Sequence, residues 1–174
     1  TFVVEADESD GSFLRLDARV GIITNIEPDH LNYWGTAEAM TAGLYDFAAA
    51  IGERGGYVVI CQDDPGAAAL AQAVREAGVD VRTYGTSADS DYRIEVAEST
   101  ADGSQFVVSG PHLEPVPCRI SVAGLHNVLN AAAAMVAAAG LGLPAEQIAD
   151  GVGQFVGTRR RFEFRGDVAG VRVF

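Results

Sequence analysis

The stretch YVVICQDDPGAAALAQAVREAGVDVRTY, residues 57–84, decides the fold. Tyr57-Val-Val-Ile-Cys61 is an apolar run without polar alternation, which is how a strand covered on both faces reads. Asp63, Asp64 and Pro65 then put acids and a proline at the first turn of a helix that runs to about Ala77, and Gly78 ends it. Val81-Arg-Thr-Tyr84 returns to strand chemistry. Strand, helix and strand in this order predict a crossover unit, the grammar of a parallel sheet.

On the N-terminal side, Thr1-Phe-Val-Val-Glu-Ala-Asp7 and Arg19-Val-Gly-Ile-Ile-Thr-Asn25 are runs of the same kind and are predicted as two further buried strands. Met40, Leu44, Phe47, Ala48 and Ile51 recur at helical spacing behind a start signal at Thr36 and Glu38, and Gly55-Gly56 stops that helix. On the C-terminal side the pattern changes. Arg93-Ile-Glu-Val, Gln105-Phe-Val-Val and Pro117-Cys-Arg-Ile-Ser-Val122 alternate and are separated by Asp102-Gly103 and Gly110-Pro111, which predicts antiparallel strands joined by turns. A helix follows Gly124 to Gly140, and another runs from Pro144 to near Gly151. Strand chemistry returns at Arg161–Arg165 and Val171–Phe174. The predicted class is α/β: a mostly parallel central sheet flanked by helices, with a small antiparallel subsheet, in one domain over residues 1–174.

Composition narrows the chemistry. The 174 residues are 48% hydrophobic and 21% charged, enough apolar surface for a core without disulfides or a structural metal. Acids outnumber bases 24 to 12, for a net charge of −12, which argues against a nucleic-acid binder. All twelve bases are arginine, so a Walker-type lysine, a Schiff-base lysine and a carbamylated lysine are excluded from this chain. Cys61 and Cys118 belong to no Cys-x-x-Cys pair and read as free thiols of a cytoplasmic protein. The apolar stretch around Ala131 to Leu143 is too short and too glycine-broken to span a bilayer. The sequence starts at Thr1, not Met, and ends without a turn or cap. It reads as an excerpt of something longer.

Four clusters could carry chemistry. Glu5-Ala-Asp7-Glu8-Ser9-Asp10 holds four acids in six positions at the end of the first predicted strand, where ligands gather in open α/β sheets. Grouped carboxylates repel unless a cation or donors compensate, so this is a hard-metal site or a solvated acidic loop. Asn25-Ile-Glu27-Pro28-Asp29-His30 ends the second strand, where His30 could be a metal ligand, a base or a surface residue. Magnesium favours oxygen ligands, so an imidazole contact sits more easily with manganese or a mixed site.

The third cluster, Gly124-Leu-His126-Asn127-Val-Leu-Asn130, places His126 and Asn130 on one helix face and Asn127 at the first turn. Amide side chains there can read the edge of a base such as adenine, and a capped, alanine-packed helix is the alternative. The fourth is Gly157-Thr158-Arg159-Arg160-Arg161, with Arg165 close by. Residues 155–174 carry five arginines against Glu163 and Asp167, and guanidinium groups suit phosphate oxygens, with a solvated basic turn as the alternative.

Taken in order, Glu5-Ala-Asp-Glu-Ser-Asp10, Thr24-Asn-Ile-Glu-Pro-Asp-His30, Gly124-x-His-Asn-x-x-Asn-Ala131 and Phe155-x-Gly-x-x-Arg-Arg-Phe162 resemble the central domain of the Mur ligases, across nearly the whole chain. The resemblance implies a P-loop NTPase-like fold and an ATP-dependent reaction. A carboxylate takes the γ-phosphoryl group to give an acyl phosphate, which an amine then attacks. The acidic form of the first motif points to the member that joins L-alanine to UDP-N-acetylmuramate, with a murein-peptide recycling ligase as nearest rival. By motif position, Glu5 matches a carboxylate that helps hold one magnesium and His30 the ligand of a second. His126, Asn127 and Asn130 match adenine-side contacts. Arg160 or Arg161 matches the arginine near the nucleotide phosphates, and Asp7, Glu8 and Ser9 lie near the sugar-nucleotide substrate.

Departures from the family also matter. Its Gly-Lys-Thr phosphate loop, the N-terminal domain that holds UDP and the C-terminal domain that brings the amino acid are absent from this sequence. Asn32 stands where the family commonly has Asp. The resemblance therefore implies that the isolated stretch lacks ligase activity. A non-catalytic nucleotide-binding module and a metal-dependent phosphohydrolase are the readings from other classes, and the second leaves the His126–Asn130 helix unexplained.

Overall fold

The computed structural model describes residues 1–111, 113–158 and 166–173. Its elements are β1 (Val20–Ile23), α1 (Leu31–Trp34), α2 (Ala37–Glu53), β2 (Tyr57–Cys61), α3 (Pro65–Glu76), β3 (Asp80–Gly85), β4 (Tyr92–Thr100), β5 (Gly103–Gly110), β6 (Leu113–Ile120), α4 (Leu125–Gly140), α5 (Ala145–Gly153), β7 (Gly166–Val168) and β8 (Val171–Val173), with a single 3-10 turn at Ser12–Arg15.

Strands β1 to β6 form one sheet in sequence order. The crossover unit is as predicted: β1, β2 and β3 run parallel, with Val20 beside Tyr57 and Tyr57 beside Asp80. All five residues of β2 are buried, the signature of a strand covered on both faces. Each crossover helix starts where the sequence supplies a cap. Thr36 Oγ1 accepts from the Ala39 amide at 3.1 Å, and Asp64 Oδ1 accepts from the Ala67 amide at 2.7 Å.

The antiparallel strands are fused to the same sheet. β4 runs parallel to β3 over two residue pairs and then pairs antiparallel with β5, which pairs antiparallel with β6. Asp91 ties the junction: its Oδ2 accepts from the Thr83 amide at 2.8 Å and from the Thr83 hydroxyl at 2.9 Å. β7 and β8 form a separate hairpin. The expected strand at Arg161–Arg165 lies outside the described residues.

One expected strand does not form. Thr1–Asp7 has no strand structure, and Phe2 and Val3 are 92% and 90% exposed. A strand exists only by pairing, and this segment pairs with none of the described strands. Within the described residues β1 has β2 as its neighbour and a bare opposite edge, and Ile22 on it is 44% exposed.

Helix α4 fixes the polarity that matters for function. Its last turns sit at the starting ends of β2 and β3: the Tyr57 hydroxyl donates to the Ala137 carbonyl at 2.7 Å, and the Arg82 guanidinium lies 3.6 Å over the Tyr57 ring. The missing Cβ of Gly140 makes room for both side chains, since a Cβ there would come within 2.4 Å of the Tyr57 hydroxyl oxygen and closer still to the Arg82 guanidinium. α4 therefore runs antiparallel to the parallel strands. At sixteen residues against five in β2, it spans about 24 Å against about 17 Å. Its N-terminus overhangs the carboxyl edge of the sheet.

Candidate functional site

The carboxyl edge is where the strand-end loops meet. Two adjacent acids stitch them. Asp64, besides capping α3, accepts from the Ile26 amide at 3.1 Å, which anchors the loop leaving β1. Asp63 accepts from the Thr86 amide and hydroxyl at 2.8 Å each and from the Ser87 amide at 3.0 Å, which anchors the loop leaving β3. In the sequence this pair reads only as a helix start. The missed signal is the doubled acid: one carboxylate is enough for a cap.

The anchored loop after β1 carries His30. The residue adopts a left-handed backbone, φ 53°, as the N-cap of the one-turn helix α1, and its amide donates to Asp29 Oδ1 at 2.7 Å. His30 Nε2 lies 3.7 Å from Glu8 Oε1 and 3.9 Å from Asp29 Oδ2. The acidic loop is thus folded against His30, and its own hydrogen bonds shape it. Asp7 accepts from the Ser9 hydroxyl and amide, which together hold its carboxyl below the usual carboxylate range, with a smaller contribution from His30. Asp10 accepts from the Ser12 amide at 2.9 Å.

Glu8 and His30 are therefore brought together, with Asp7 and its partner Ser9 alongside. Glu5 lies on the exposed extended segment three residues before Glu8. Among the described residues no group of three His, Cys, Asp or Glu side chains forms a ready-made metal cage.

The second predicted group sits at the α4 N-terminus on the same edge. Gly124 precedes the helix with φ 97°, a backbone that L side chains rarely adopt, and its missing Cβ lets the His126 ring lie close. Asn127 Nδ2 donates to the Ala123 carbonyl at 2.6 Å, which leaves its side-chain oxygen as an acceptor. His126 and Asn130 are exposed one turn apart. Among the described residues no hydrogen bond or ion pair joins this group to His30. Arg160 and Arg161 lie outside the described residues. A surface depression of about 470 Å³ between β6 and α5, lined by Arg119, Ser121, Asp150 and Gln154, holds none of the candidate residues.

Compared with known proteins, residues 1–138 match the Mur ligase middle domain family. The chain belongs to the Mur ligases. This Mur ligase middle domain is 49% identical over 99% of its length to a UDP-N-acetylmuramate–L-alanine ligase from Kineococcus radiotolerans, and 45% identical, again over 99%, to one from Thermobifida fusca. It spans about a third of those relatives, 36% of each. Among solved structures it superposes with a TM-score of 0.77 on MurF from Acinetobacter baumannii, at 24% identity over 94% of this chain and 36% of that one. With the UDP-N-acetylmuramate-alanine ligase MurC from Thermotoga maritima the TM-score is 0.75, at 23% identity over 94% of this chain and 35% of that one. These likenesses establish the α/β Mur ligase fold. No helix among the described residues is long and apolar enough to cross a membrane.

Proposed function

We propose that this Mur ligase middle domain serves a cytoplasmic enzyme that joins L-alanine to UDP-N-acetylmuramate at the expense of ATP, in peptidoglycan precursor synthesis. The observation that carries the reading is the 49% identity across 99% of the chain to a relative bearing that activity in its name. The geometry supports it: an acid–imidazole pair and the N-terminus of a long helix share the carboxyl edge of a parallel sheet, where such folds bind ligands.

The carboxylates suit magnesium, which is held by one or two such groups, with substrate phosphates and water completing the shell, rather than by an all-protein cage. Glu8 and His30, 3.7 Å apart, supply the protein groups, with Glu5 as the further carboxylate matched by motif. The imidazole widens the choice to manganese. Bound there, the ion neutralises phosphate charge and keeps the reacting groups in line. His126, Asn127 and Asn130 face the adenine, Asn127 through its free side-chain oxygen toward the exocyclic amine. Arg160 and Arg161 are assigned to the phosphates and Asp7 and Ser9 to the sugar-nucleotide side, while Glu8, matched to that side by motif, goes to the cation on its spacing from His30. The 174-residue stretch by itself is assigned no turnover, since no lysine is present to cradle the β- and γ-phosphates.

The test is phosphate release by the full-length protein that carries this domain. Release that requires both UDP-N-acetylmuramate and L-alanine, with the alanylated product seen by mass, is expected. Preference for a murein tripeptide over L-alanine would move the assignment to the recycling ligase. Nucleotide binding without release under any pairing would make it a binding module.

A further inference from the structure

We propose that Trp34 is a positioning residue that holds the Glu8 loop against His30, and thereby sets the acid–imidazole spacing for the cation. The inference rests on the reading of Glu8 and His30 as cation ligands.

Trp34 is the sole tryptophan of the chain. It ends α1, and its amide donates to the His30 carbonyl at 3.3 Å, so it stands one helical turn from the imidazole. Its indole Nε1 donates to the backbone carbonyl of Glu8 at 2.7 Å, across a separation of 26 residues. That bond joins the residue presenting the carboxylate to the turn presenting the imidazole. It closes a circuit from His30 to Trp34 to Glu8 and back across the 3.7 Å gap. Because the acceptor is a main-chain oxygen, the Glu8 carboxylate stays available for a cation.

The ring itself is fixed by packing. It lies on Gly43 of α2, where a Cβ would come within 2.6 Å of Cη2. Phe13 and Tyr33 flank it with ring centroids at 6.1 and 5.0 Å. Phe13, buried at the end of the acidic loop, stacks edge-on against Phe47 at 5.4 Å. A donor held this rigidly can fix a loop that otherwise depends on short local hydrogen bonds. Outer partners that orient metal ligands are worth a factor of about ten or more in metal affinity.

The experiment titrates Mn2+ into the full-length protein by electron paramagnetic resonance and, separately, measures turnover against Mg2+. Trp34→Phe keeps a ring and loses the donor. Incorporation of β-(3-benzothienyl)alanine at position 34 keeps the bicyclic shape and replaces N–H by sulfur, so a folding defect in Trp34→Phe does not decide the matter. Phe47→Leu disturbs the packing and leaves the hydrogen bond. Both changes at position 34 are expected to weaken Mn2+ binding about tenfold and to raise the apparent KM for Mg2+ with kcat at saturating metal within about twofold. Phe47→Leu is expected to lower Tm and leave Mn2+ affinity within about twofold. If His30→Ala loses Mn2+ but the position 34 variants bind it as the wild type does, or if Phe47→Leu weakens it equally, the role of Trp34 is overturned and the cation reading stands. If the wild type binds no Mn2+, or His30→Ala binds it unchanged, both fall.

Discussion

Asp64 shows at the residue scale how one carboxylate serves two elements. Its Oδ1 accepts from Ala67 at the start of α3 and from Ile26 in the loop that leads to His30. Asp64→Ala is expected to cost about 1–2 kcal/mol for the cap and to leave the buried-side Ile26 amide without its partner. Asp64→Asn keeps the acceptor oxygen and should recover most of the loss. Urea denaturation of the three proteins checks this; equal midpoints for Asp64→Ala and wild type would remove the anchoring role. Individual site residues were legible in the sequence as types and spacings. Which carboxylate of the acidic loop faces His30 was not, because the answer depends on how the Ser9 and Ser12 hydrogen bonds and the Trp34 indole fold that loop back.

At the scale of elements, the crossover unit was fully legible because burial on both faces, caps and stop signals all agreed over residues 57–84. Helix α1 was not, since one turn shows no periodicity. Thr1–Asp7 carries the apolar pattern of a buried strand, yet pairing partners are not written in a strand's own residues. The bare edge of β1 and the exposed Phe2 and Val3 are two sides of that fact. Amides of residues 2–5 in the 174-residue chain are therefore expected to exchange with deuterium at nearly free-peptide rates, while those of β2 stay protected toward the limit of global unfolding. Slow exchange at Val3 and Val4 would show that the segment pairs after all.

Across the whole molecule, acids give a net charge of −12, but the core holds titratable groups in their neutral forms. Burial pushes the Cys118 thiol up to about 11 from its ordinary value of 9.0, and burial also raises Cys61, Tyr57, Tyr84 and Tyr92. The folded state binds the Cys118 proton more tightly than the unfolded chain does. That contribution is complete below pH 9 and is lost as pH climbs from 9 through 11. Stability should fall over this window by on the order of 1–2 kcal/mol from this group, and Cys118→Ala should flatten the fall. Denaturant midpoints at pH 8 and pH 10.5 give the comparison, and identical slopes in the two proteins would contradict it. The acid-rich surface fits one picture: carboxylates gather at the sheet's carboxyl edge, and α4 points its N-terminus at the same edge.

This edge is proposed to belong to a ligase working through an acyl phosphate. UDP-N-acetylmuramate labelled with 18O in its carboxylate, turned over by the full-length protein with ATP and L-alanine, tests it most directly. One 18O atom is expected to pass from the carboxylate to each phosphate released. Phosphate released with no label, while alanylated product accumulates, would contradict it.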